Sequence, residues 1–426
     1  MGEWNWRNDV HCPELMIRAS VAVIGAGPAG LYVAQQLRRA LPDAALSVLD
    51  RMPVPFGLVR YGVATDHQST KGVTAQFERL FERERVRFFG NIEVGRDVAF
   101  DELRDLFDAV VIATGLSADR QLGIVGEDGP AVFRAGAVTR WFNSHPCEGE
   151  ACPSFGPNVV VVGNGNVALD IARLLARGPG EFGGTDIDPD RLGALARSGP
   201  RTIDVVGRRR SHEARFDPTL LAEFSRLGAA RVEVHGLEDA LGADRVSAAL
   251  RAVHGSGPEA SLHTVRFRFG LTPIAIEAGA VTFADAAGAA QRLPASSVVT
   301  AAGFAWDVAG DVGERAIRAE PGLYRAGWFR SGGRGTIADA RAEGRAVAQE
   351  VAADLAAQEA CRVDGADELA GLLSLRGVPV VDHAGWRRID AVERQRTVPG
   401  FVRRKLIRLD AMLACAFHEG PMQVTQ

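Results

Sequence analysis

Glycines in a fixed spacing are the first chemical signal in this sequence. Gly25, Gly27 and Gly30 follow the apolar residues 21–24 and precede a segment with helical periodicity. In GxGxxG spacing the first glycine forms a tight turn, the second lets a pyrophosphate approach the backbone, and the third allows helix and strand to pack closely. The helix N terminus adds unpaired N–H groups and a partial positive charge. The spacing therefore predicts a dinucleotide site, with a purely structural turn as the alternative.

An acidic residue indicates which dinucleotide the first turn binds. The next predicted strand, 45–49, ends at Asp50. A carboxylate at this point can accept hydrogen bonds from ribose hydroxyls, and its charge repels a 2′-phosphate. The first site is therefore predicted to take FAD or NAD rather than NADP.

A second glycine turn repeats the pattern with the opposite charge. A valine run leads into Gly163 and Gly165, and Ala168 replaces the third glycine, which the pattern tolerates. After the next predicted strand, Arg208 and Arg209 stand where the first unit has its acid. Guanidinium groups suit a phosphate in charge and in fork geometry. The second site is therefore predicted to take NADP; the alternative is that the arginines form a solvated strand end.

The segment after Asp50 has an unusual composition for a loop. Residues 53–67 contain prolines, glycines and several large apolar side chains, with few charges. An exposed loop is expected to be more polar. The segment is therefore predicted to lie against a flat aromatic cofactor.

Overall composition limits the class of protein. A chain of 426 residues suggests two or three domains, and a net charge of −4 gives no sign of nucleic-acid binding. No apolar run approaches the roughly 20 residues of a membrane span, and residues 1–18 do not resemble a secretory signal. Scattered cysteines in odd number argue against a disulfide framework and favour the cytoplasm. Without a second cysteine pair or a histidine cluster, no metal site is predicted. The cysteines are Cys12, Cys147, Cys152, Cys361 and Cys415.

Two other segments have less specific patterns. Residues 178–200 are rich in glycine, proline and acids and then show a short helical pattern, which indicates an insertion between a helix and a strand. Residues 401–413 form a basic amphipathic pattern, which predicts a packed surface helix rather than a partner-binding one.

The chain resembles the adrenodoxin-reductase-like family of ferredoxin–NADP⁺ reductases, which are flavoproteins of the glutathione-reductase type. The motifs that carry the resemblance are GAGPAGLY at 25–32, PVPFGLVRYGVATDH at 53–67, GNGNVALDIAR at 163–173, VVGRRR at 205–210, AGWFRSGGRGTI at 326–337 and LRGVPVV at 375–381.

The resemblance implies an α/β fold with two Rossmann-like dinucleotide-binding domains. Each domain has three layers around a mostly parallel sheet, and the NADP domain is inserted in the FAD domain. The expected division is an N-terminal arm at 1–17, an FAD domain at 18–115 and 300–426, and an NADP domain at 116–299.

The resemblance also assigns site residues. His67, Asp170 and Glu223 are expected to be the polar residues nearest the contact between nicotinamide and flavin. The residues expected around FAD are Gly25, Gly27, Pro28, Ala29, Gly30, Asp50, Arg51, Gly57, Leu58, Gly115, Trp328, Gly335, Thr336 and Ile337. The residues expected around NADP are Gly163, Asn164, Gly165, Asn166, Val167, Arg208, Arg209, Glu223 and Gly335.

Several of these assignments have a physical argument or an alternative of their own. The turn at Gly335 opens a helical pattern at 337–351, whose N–H groups can face the flavin N1/O2 region and stabilise negative charge there. Trp328 can instead be an ordinary core residue. His67 and the two acids can be a satisfied histidine and solvated carboxylates.

The sequence departs from the family pattern close to the expected active cleft. Thr65 stands where proline is usual, Arg210 where glycine is common, Asp217 where a small hydroxyl residue is common, and Leu220 where an acid is frequent. These departures leave open how strongly the enzyme prefers NADPH over NADH.

The predicted function is that of an FAD-dependent oxidoreductase. It passes electrons from NADPH, received as hydride at flavin N5, one at a time to a small acidic iron–sulfur ferredoxin that feeds a haem monooxygenase or similar enzyme. A monomer is expected, with basic residues near the flavin steering the carrier. The alternatives are a flavin subunit like the small subunit of glutamate synthase, an NADPH diaphorase, a flavin monooxygenase, or a non-enzymatic binding protein. A disulfide reductase is disfavoured because the sequence has no CxxC pair.

Changing Arg208 and Arg209 together to alanine is expected to raise the Michaelis constant for NADPH by roughly 10- to 100-fold, the equivalent of one or two charge-assisted hydrogen bonds. The constant for NADH should change little, because NADH has no 2′-phosphate. Steady-state reduction of a dye with each coenzyme measures both constants. Equal losses with the two coenzymes would contradict the assignment.

Overall fold

The structure is a computed structural model. It describes residues 19–149, 153–237, 244–306, 320–333, 335–358 and 365–418. The predicted N-terminal arm at 1–17 and Cys12, Cys152 and Cys361 lie outside the described residues.

The first sheet is parallel and has strand order β16-β4-β1-β2-β3. Its strands are β1 Ser20–Ile24, β2 Ala45–Asp50, β3 Arg87–Gly90, β4 Ala109–Ile112 and β16 Leu323–Arg325. Val21 and Val23 of β1 face one apolar core, while Ala22 and Ile24 face another. This sheet is buried on both faces, as the apolar run in the sequence predicted.

The second sheet is also parallel, with order β6-β14-β7-β8-β10-β9. Its strands are β6 Val132–Arg134, β7 Asn158–Val162, β8 Thr202–Val206, β9 Ala230–His235, β10 His263–Arg268 and β14 Ser297–Thr300. Val159 and Val161 of β7 face a core built with helices. Val160 and Val162 face a three-stranded antiparallel sheet whose strands are β11 Thr272–Glu277, β12 Ala280–Ala284 and β13 Ala290–Pro294.

Helices complete the layers of both sheets. The helices are α1 Pro28–Ala40, α2 Gly57–Tyr61, α3 Gln68–Lys71, α4 Thr74–Glu82, α5 Phe100–Leu106, α6 Ala135–Phe142, α7 Asn166–Leu175, α8 Pro189–Ser198, α9 Pro218–Ala222, α10 Arg245–Val253, α11 Trp328–Ser331, α12 Ile337–Ala356, α13 Gly365–Leu375, α14 His383–Gln395 and α15 Leu409–Phe417. Short 3₁₀ helices lie at Pro146–Glu148, Pro179–Phe182, Ser211–Glu213 and Glu223–Arg226. Within the described ranges, no helix combines the length and apolar character of a membrane span.

The chain passes between the two sheets at a pair of short strands. β5 Ala118–Asp119 and β15 Phe304–Ala305 pair antiparallel, one on the way to the second sheet and the other on the way back. All strands of the second sheet come between β4 and β16 of the first sheet along the chain. An inserted domain requires this order, although the predicted domain boundaries stay a prediction.

The helix predicted over 401–413 is wrong in its first half. Residues 401–408 are not helical, and α15 begins only at Leu409. Two contacts hold this segment in a non-helical path: Val402 donates its N–H to the Thr185 carbonyl at 2.9 Å, and Lys405 lies 2.7 Å from the Asp186 carboxylate. Ion pairs with other elements therefore override the amphipathic pattern.

A buried histidine makes the fold sensitive to acid. His145 packs edge-on against Tyr61 with ring centroids 4.6 Å apart, and its Nδ1 accepts a hydrogen bond from the Cys147 N–H at 3.1 Å. Burial, together with nearby arginines, lowers the pKa of His145 from 6.5 to about 3. The unfolded chain therefore binds one more proton than the folded chain between these two pH values, so stability falls as the pH falls.

Replacing His145 by glutamine is expected to remove this contribution. Relative to His145→Gln, the wild type should lose about 1.4 kcal/mol of unfolding free energy per pH unit as the pH falls from 6 to 4. Urea unfolding at several pH values measures it, with His235→Gln, an exposed histidine on β9, as control. A difference that does not depend on pH would contradict this account.

Candidate functional site

The first glycine turn has the shape that a pyrophosphate requires. Gly25 has a φ of +109°, and a Cβ there would lie 2.5 Å from the Ala113 carbonyl oxygen. A Cβ on Gly30 would lie 2.0 Å from the Gly25 oxygen, whereas a Cβ on Gly27 would meet nothing within 4 Å. Two glycines thus permit close packing, and the middle one borders open space at the N terminus of α1. FAD phosphates fit this cradle.

The Asp50 carboxylate stabilises the first glycine turn through backbone hydrogen bonds. Its two carboxylate oxygens accept hydrogen bonds from the N–H groups of Ala26, at 2.8 Å, and Met52, at 2.9 Å. Burial raises the pKa of Asp50, and the two amide hydrogen bonds partly oppose that rise. The carboxylate therefore braces the phosphate turn. Its predicted contact with ribose stays a prediction.

The second turn is built in the same way. Gly163 has a φ of +133° and a virtual Cβ 2.2 Å from the Ala301 oxygen, while a Cβ on Gly165 would meet nothing within 4 Å. A Cβ on Gly207 would lie 2.1 Å from Nδ2 of Asn164. The turn that carries the arginines therefore packs directly on the phosphate turn. The Asn164 amide nitrogen is buried without a hydrogen-bond partner among the described residues.

The arginines of this second turn lie at its surface. Arg208 is exposed and Arg209 is half-buried. Neither side chain forms an ion pair with a described residue. Both guanidinium groups are thus available to an anion. Asn166 and Val167 open α7 beside them.

Two segments are expected beside the flavin, residues 53–67 and the residues from Gly327 to Ile337, and they are called the predicted flavin walls below. Two glycine contacts bring them against the first turn. A Cβ on Gly57, at the start of α2, would lie 2.8 Å from the Gly27 Cα. A Cβ on Gly327 would lie 2.4 Å from the Ala29 Cβ. Both predicted walls therefore meet the N terminus of α1, which begins with Pro28.

The remaining residues expected around FAD occupy varied environments. Leu58 is 37% exposed, an unusual setting for a leucine in a structured segment. Trp328 is half-buried and donates its indole N–H to the Gly335 carbonyl at 3.1 Å. Thr336 caps α12, which begins at Ile337. Gly115 has a φ of +70°, and a Cβ added there would meet nothing within 4 Å. Arg51 is exposed.

The structure brings together the three polar residues assigned to the reaction. His67 Nε2 lies 3.0 Å from Glu223 Oε2, and His67 Nδ1 lies 3.8 Å from Asp170 Oδ1. His67 precedes α3, Asp170 lies on α7, and Glu223 follows α9. His67 and Glu223, which are 156 positions apart in the chain, therefore meet at one point.

Sequence reasoning missed the cations that hold this group together. The Arg173 guanidinium, whose side chain is 0% exposed, lies 2.9 Å from Asp66, 2.9 Å from Asp170 and 3.2 Å from Glu223. Arg177 lies 2.8 Å from Asp66. A signal was present, because Arg173 follows Asp170 by three residues on one helix face and Asp66 adjoins His67.

Comparisons with known proteins identify the family. Residues 19–182 match the family model described as pyridine nucleotide-disulphide oxidoreductase. The chain is 37% identical to cindoxin reductase of Citrobacter braakii, with 93% of this chain and 91% of that protein covered. It is 32% identical to the mitochondrial NADPH:adrenodoxin oxidoreductase of Bos taurus, with 93% and 92% covered.

A solved structure agrees over the same length. The Mycobacterium tuberculosis FprA in complex with NADPH superposes with a TM-score of 0.87 at 31% identity, covering 94% of this chain and 100% of that one. The chain belongs to the adrenodoxin-reductase-like family. The predicted fold class is confirmed, and this reductase uses FAD and NADP(H).

Carboxylates outnumber guanidinium groups around His67 in this reductase. Three carboxylates, on Asp66, Asp170 and Glu223, face only two guanidinium groups. Although burial opposes it, the arginines hold the pKa of Asp66 below its ordinary value. Burial raises the pKa of Asp170 despite Arg173. A proton at the cluster therefore favours Asp170 over Asp66.

Two of the departures from the family pattern, Asp217 and Leu220, have local explanations in this reductase. Asp217 caps α9 by accepting the Thr219 N–H at 2.8 Å, and its own N–H donates to Asn166 Oδ1 at 2.7 Å. An aspartate and a small hydroxyl residue both serve as N-caps. Leu220 packs against the core of the second sheet. Neither residue reaches the cluster around His67.

Alanine at Gly27 and at Gly30 should separate cofactor binding from folding. Gly30→Ala places a methyl group against the Gly25 oxygen, so it should destabilise the FAD-free protein by about 1–3 kcal/mol. Gly27→Ala enters open space, so the FAD-free protein should keep its stability and lose FAD affinity by about tenfold or more. Thermal unfolding of both apoproteins and fluorescence titration with FAD test this pair. Unchanged FAD affinity in Gly27→Ala would argue against the cradle.

Proposed function

We propose that this reductase passes electrons from NADPH through FAD to a small acidic iron–sulfur ferredoxin, one electron at a time. The main support is the pair of cradles with unlike strand ends: Asp50 follows the strand of the first unit and Arg208 and Arg209 follow that of the second. An acid at the first disfavours a 2′-phosphate, and free arginines at the second attract one. FAD, when bound, accepts a hydride and can release its two electrons separately.

The chain's own side chains supply position and a proton site. Hydride transfer requires nicotinamide and flavin in contact and shielded from water. His67 and Glu223, hydrogen-bonded at 3.0 Å, are proposed to orient the nicotinamide side and to exchange a proton near the flavin. Asp170, on the helix that opens at the second cradle, is proposed to act with them.

The acidity of the carrier is proposed from charge on the flavin side. Arg51 is exposed next to Asp50, and the Arg330 side chain is 50% exposed two residues after Trp328. Cations at both predicted flavin walls would speed the encounter with an acidic carrier. The relatives' names include a ferredoxin, an adrenodoxin and a cindoxin reductase. A monomer, a cytoplasmic location and a haem monooxygenase downstream remain parts of the proposal.

Anaerobic stopped-flow mixing tests the function directly. NADPH should bleach the bound flavin much faster than NADH does, and the reduced enzyme should then reduce an acidic ferredoxin in single-electron steps. The rate should fall as salt rises, because salt screens the steering charges. An FMN flavodoxin of similar charge serves as the control carrier.

Two results would overturn this function. If the flavodoxin is reduced faster than every ferredoxin tried, the iron–sulfur partner is wrong. If only dyes accept electrons, the chain is a diaphorase, which is the main alternative.

A further inference from the structure

A second buried ionic group lies apart from the cluster around His67. The Asp186 carboxylate lies 2.8 Å from Lys71 Nζ and 2.7 Å from Lys405 Nζ. Lys71 also donates to Asn143 Oδ1 at 2.6 Å. The side chains of Lys71, Asp186 and Lys405 are 9%, 5% and 1% exposed. The three residues are called the lysine clamp below.

The lysine clamp joins three distant parts of the chain. Lys71 ends α3, which follows the predicted flavin wall. Asp186 lies in the insertion between α7 and β8, and Lys405 lies in the segment before α15. The predicted NADP unit thus contributes the carboxylate, and the predicted FAD unit contributes both ammonium groups.

Asp186 holds the His67 segment at both of its ends. Its backbone N–H donates to the Thr65 carbonyl at 3.2 Å, while its carboxylate accepts from Lys71. Asp66 and His67 lie between those two points. Thr65 is fully buried, so this end of the segment is enclosed by protein. One residue of the NADP unit therefore fixes the short stretch that carries His67.

Lys405 provides a natural comparison, because it shares the carboxylate but not the segment. Its neighbours make backbone hydrogen bonds to the same insertion: Gly184 N–H to Gly400 oxygen at 2.8 Å, and Val402 N–H to Thr185 oxygen at 2.9 Å. These backbone bonds, and the Arg404–Asp188 contact at 3.3 Å, do not involve Lys405 and stay in place when Lys405 is replaced. Losing Lys405 therefore leaves both contacts to the His67 segment in place.

Energetics favour a role in positioning over one in stability. Burial lowers the pKa of both lysines, yet the two lysines hold the pKa of Asp186 at about 2. Buried ion pairs contribute little net stability compared with apolar residues of similar size, whereas removing one partner leaves a charge uncompensated. Such a group is best explained by the orientation it imposes.

We propose that Asp186 and Lys71 are positioning residues for hydride transfer: they fasten the His67 segment to the unit that holds NADPH. The proposal rests on the proposed function, since it assumes that nicotinamide and flavin meet beside His67. Because hydride transfer is sensitive to displacements of about 1 Å, a loosened segment slows the reaction without changing the phosphate contacts that bind NADPH.

The test compares Lys71→Met with Lys405→Met in the FAD-loaded enzyme. Both variants remove one buried ammonium from the same carboxylate. Lys71→Met should lower the limiting rate of flavin reduction by about 10- to 100-fold, with the NADPH dissociation constant changed less than about threefold. The long-wavelength charge-transfer absorbance between nicotinamide and flavin should weaken in parallel. Lys405→Met should keep the rate within about threefold, and Lys71→Arg should recover most of the loss.

Asp186→Asn provides a second comparison, with Asp190→Asn as its control. Asp190 lies in the same insertion and pairs with Arg404, but its side chain is 81% exposed. Asp186→Asn should slow flavin reduction and weaken the charge-transfer band, whereas Asp190→Asn should do neither. If Asp186→Asn does not fold, the lysine comparison still decides.

The outcomes distinguish this proposal from the proposed function. If NADPH fails to reduce the wild-type flavin, the proposed function is wrong. If wild type is reduced and both lysine variants lose rate and charge-transfer absorbance equally, the lysine clamp only docks the two units. If Lys71→Met lowers the melting temperature alone, the clamp contributes only stability. Slowing confined to Lys71→Met and Asp186→Asn supports the positioning role.

Discussion

One buried guanidinium holds the cluster around His67 together. Arg173 contacts three carboxylates, on Asp66, Asp170 and Glu223, that come from different parts of the chain. Without a cation among them, these carboxylates would repel one another, and each would be costly to remove from water. The position of His67 depends on this arrangement, because two of the three carboxylates face its ring.

The same helix links this charge group to coenzyme binding. α7 begins at Asn166, in the second glycine turn, and presents Asp170 and Arg173 one and two turns later. The second glycine turn and the side chains of Asp170 and Arg173 are therefore fixed on one helix. The N terminus of α7, where the second glycine turn lies, is thereby linked in space to Asp170 and Arg173. Asn166 extends this link, since it also holds the Asp217 N–H that precedes Glu223.

The two parallel sheets have similar glycine turns but strand ends of opposite charge. Asp50 is turned inward onto the amides of its own turn, whereas Arg208 and Arg209 remain available to an anion. The backbone cradles are nearly equivalent, with open space above Gly27 and above Gly165. Side-chain charge therefore makes the distinction that the backbone does not. The central strands β1 and β7 face an apolar core on each side, which is why they are almost entirely apolar.

The sequence by itself determined the glycine turns, the buried strands, the charge contrast between the units and the family. These features depend on neighbours within a few tens of residues, where spacing restricts geometry. His67, Asp170 and Glu223 came from resemblance, and only the tertiary structure showed that they meet. The sequence did not predict the burial of Arg173 and Asp186, because a charged residue is expected to be exposed to solvent unless its distant partners are known. Residues 401–408 resemble a helix, but their ion pairs with other elements keep them out of one. Long-range charge pairing, which has no local signature, decided these positions.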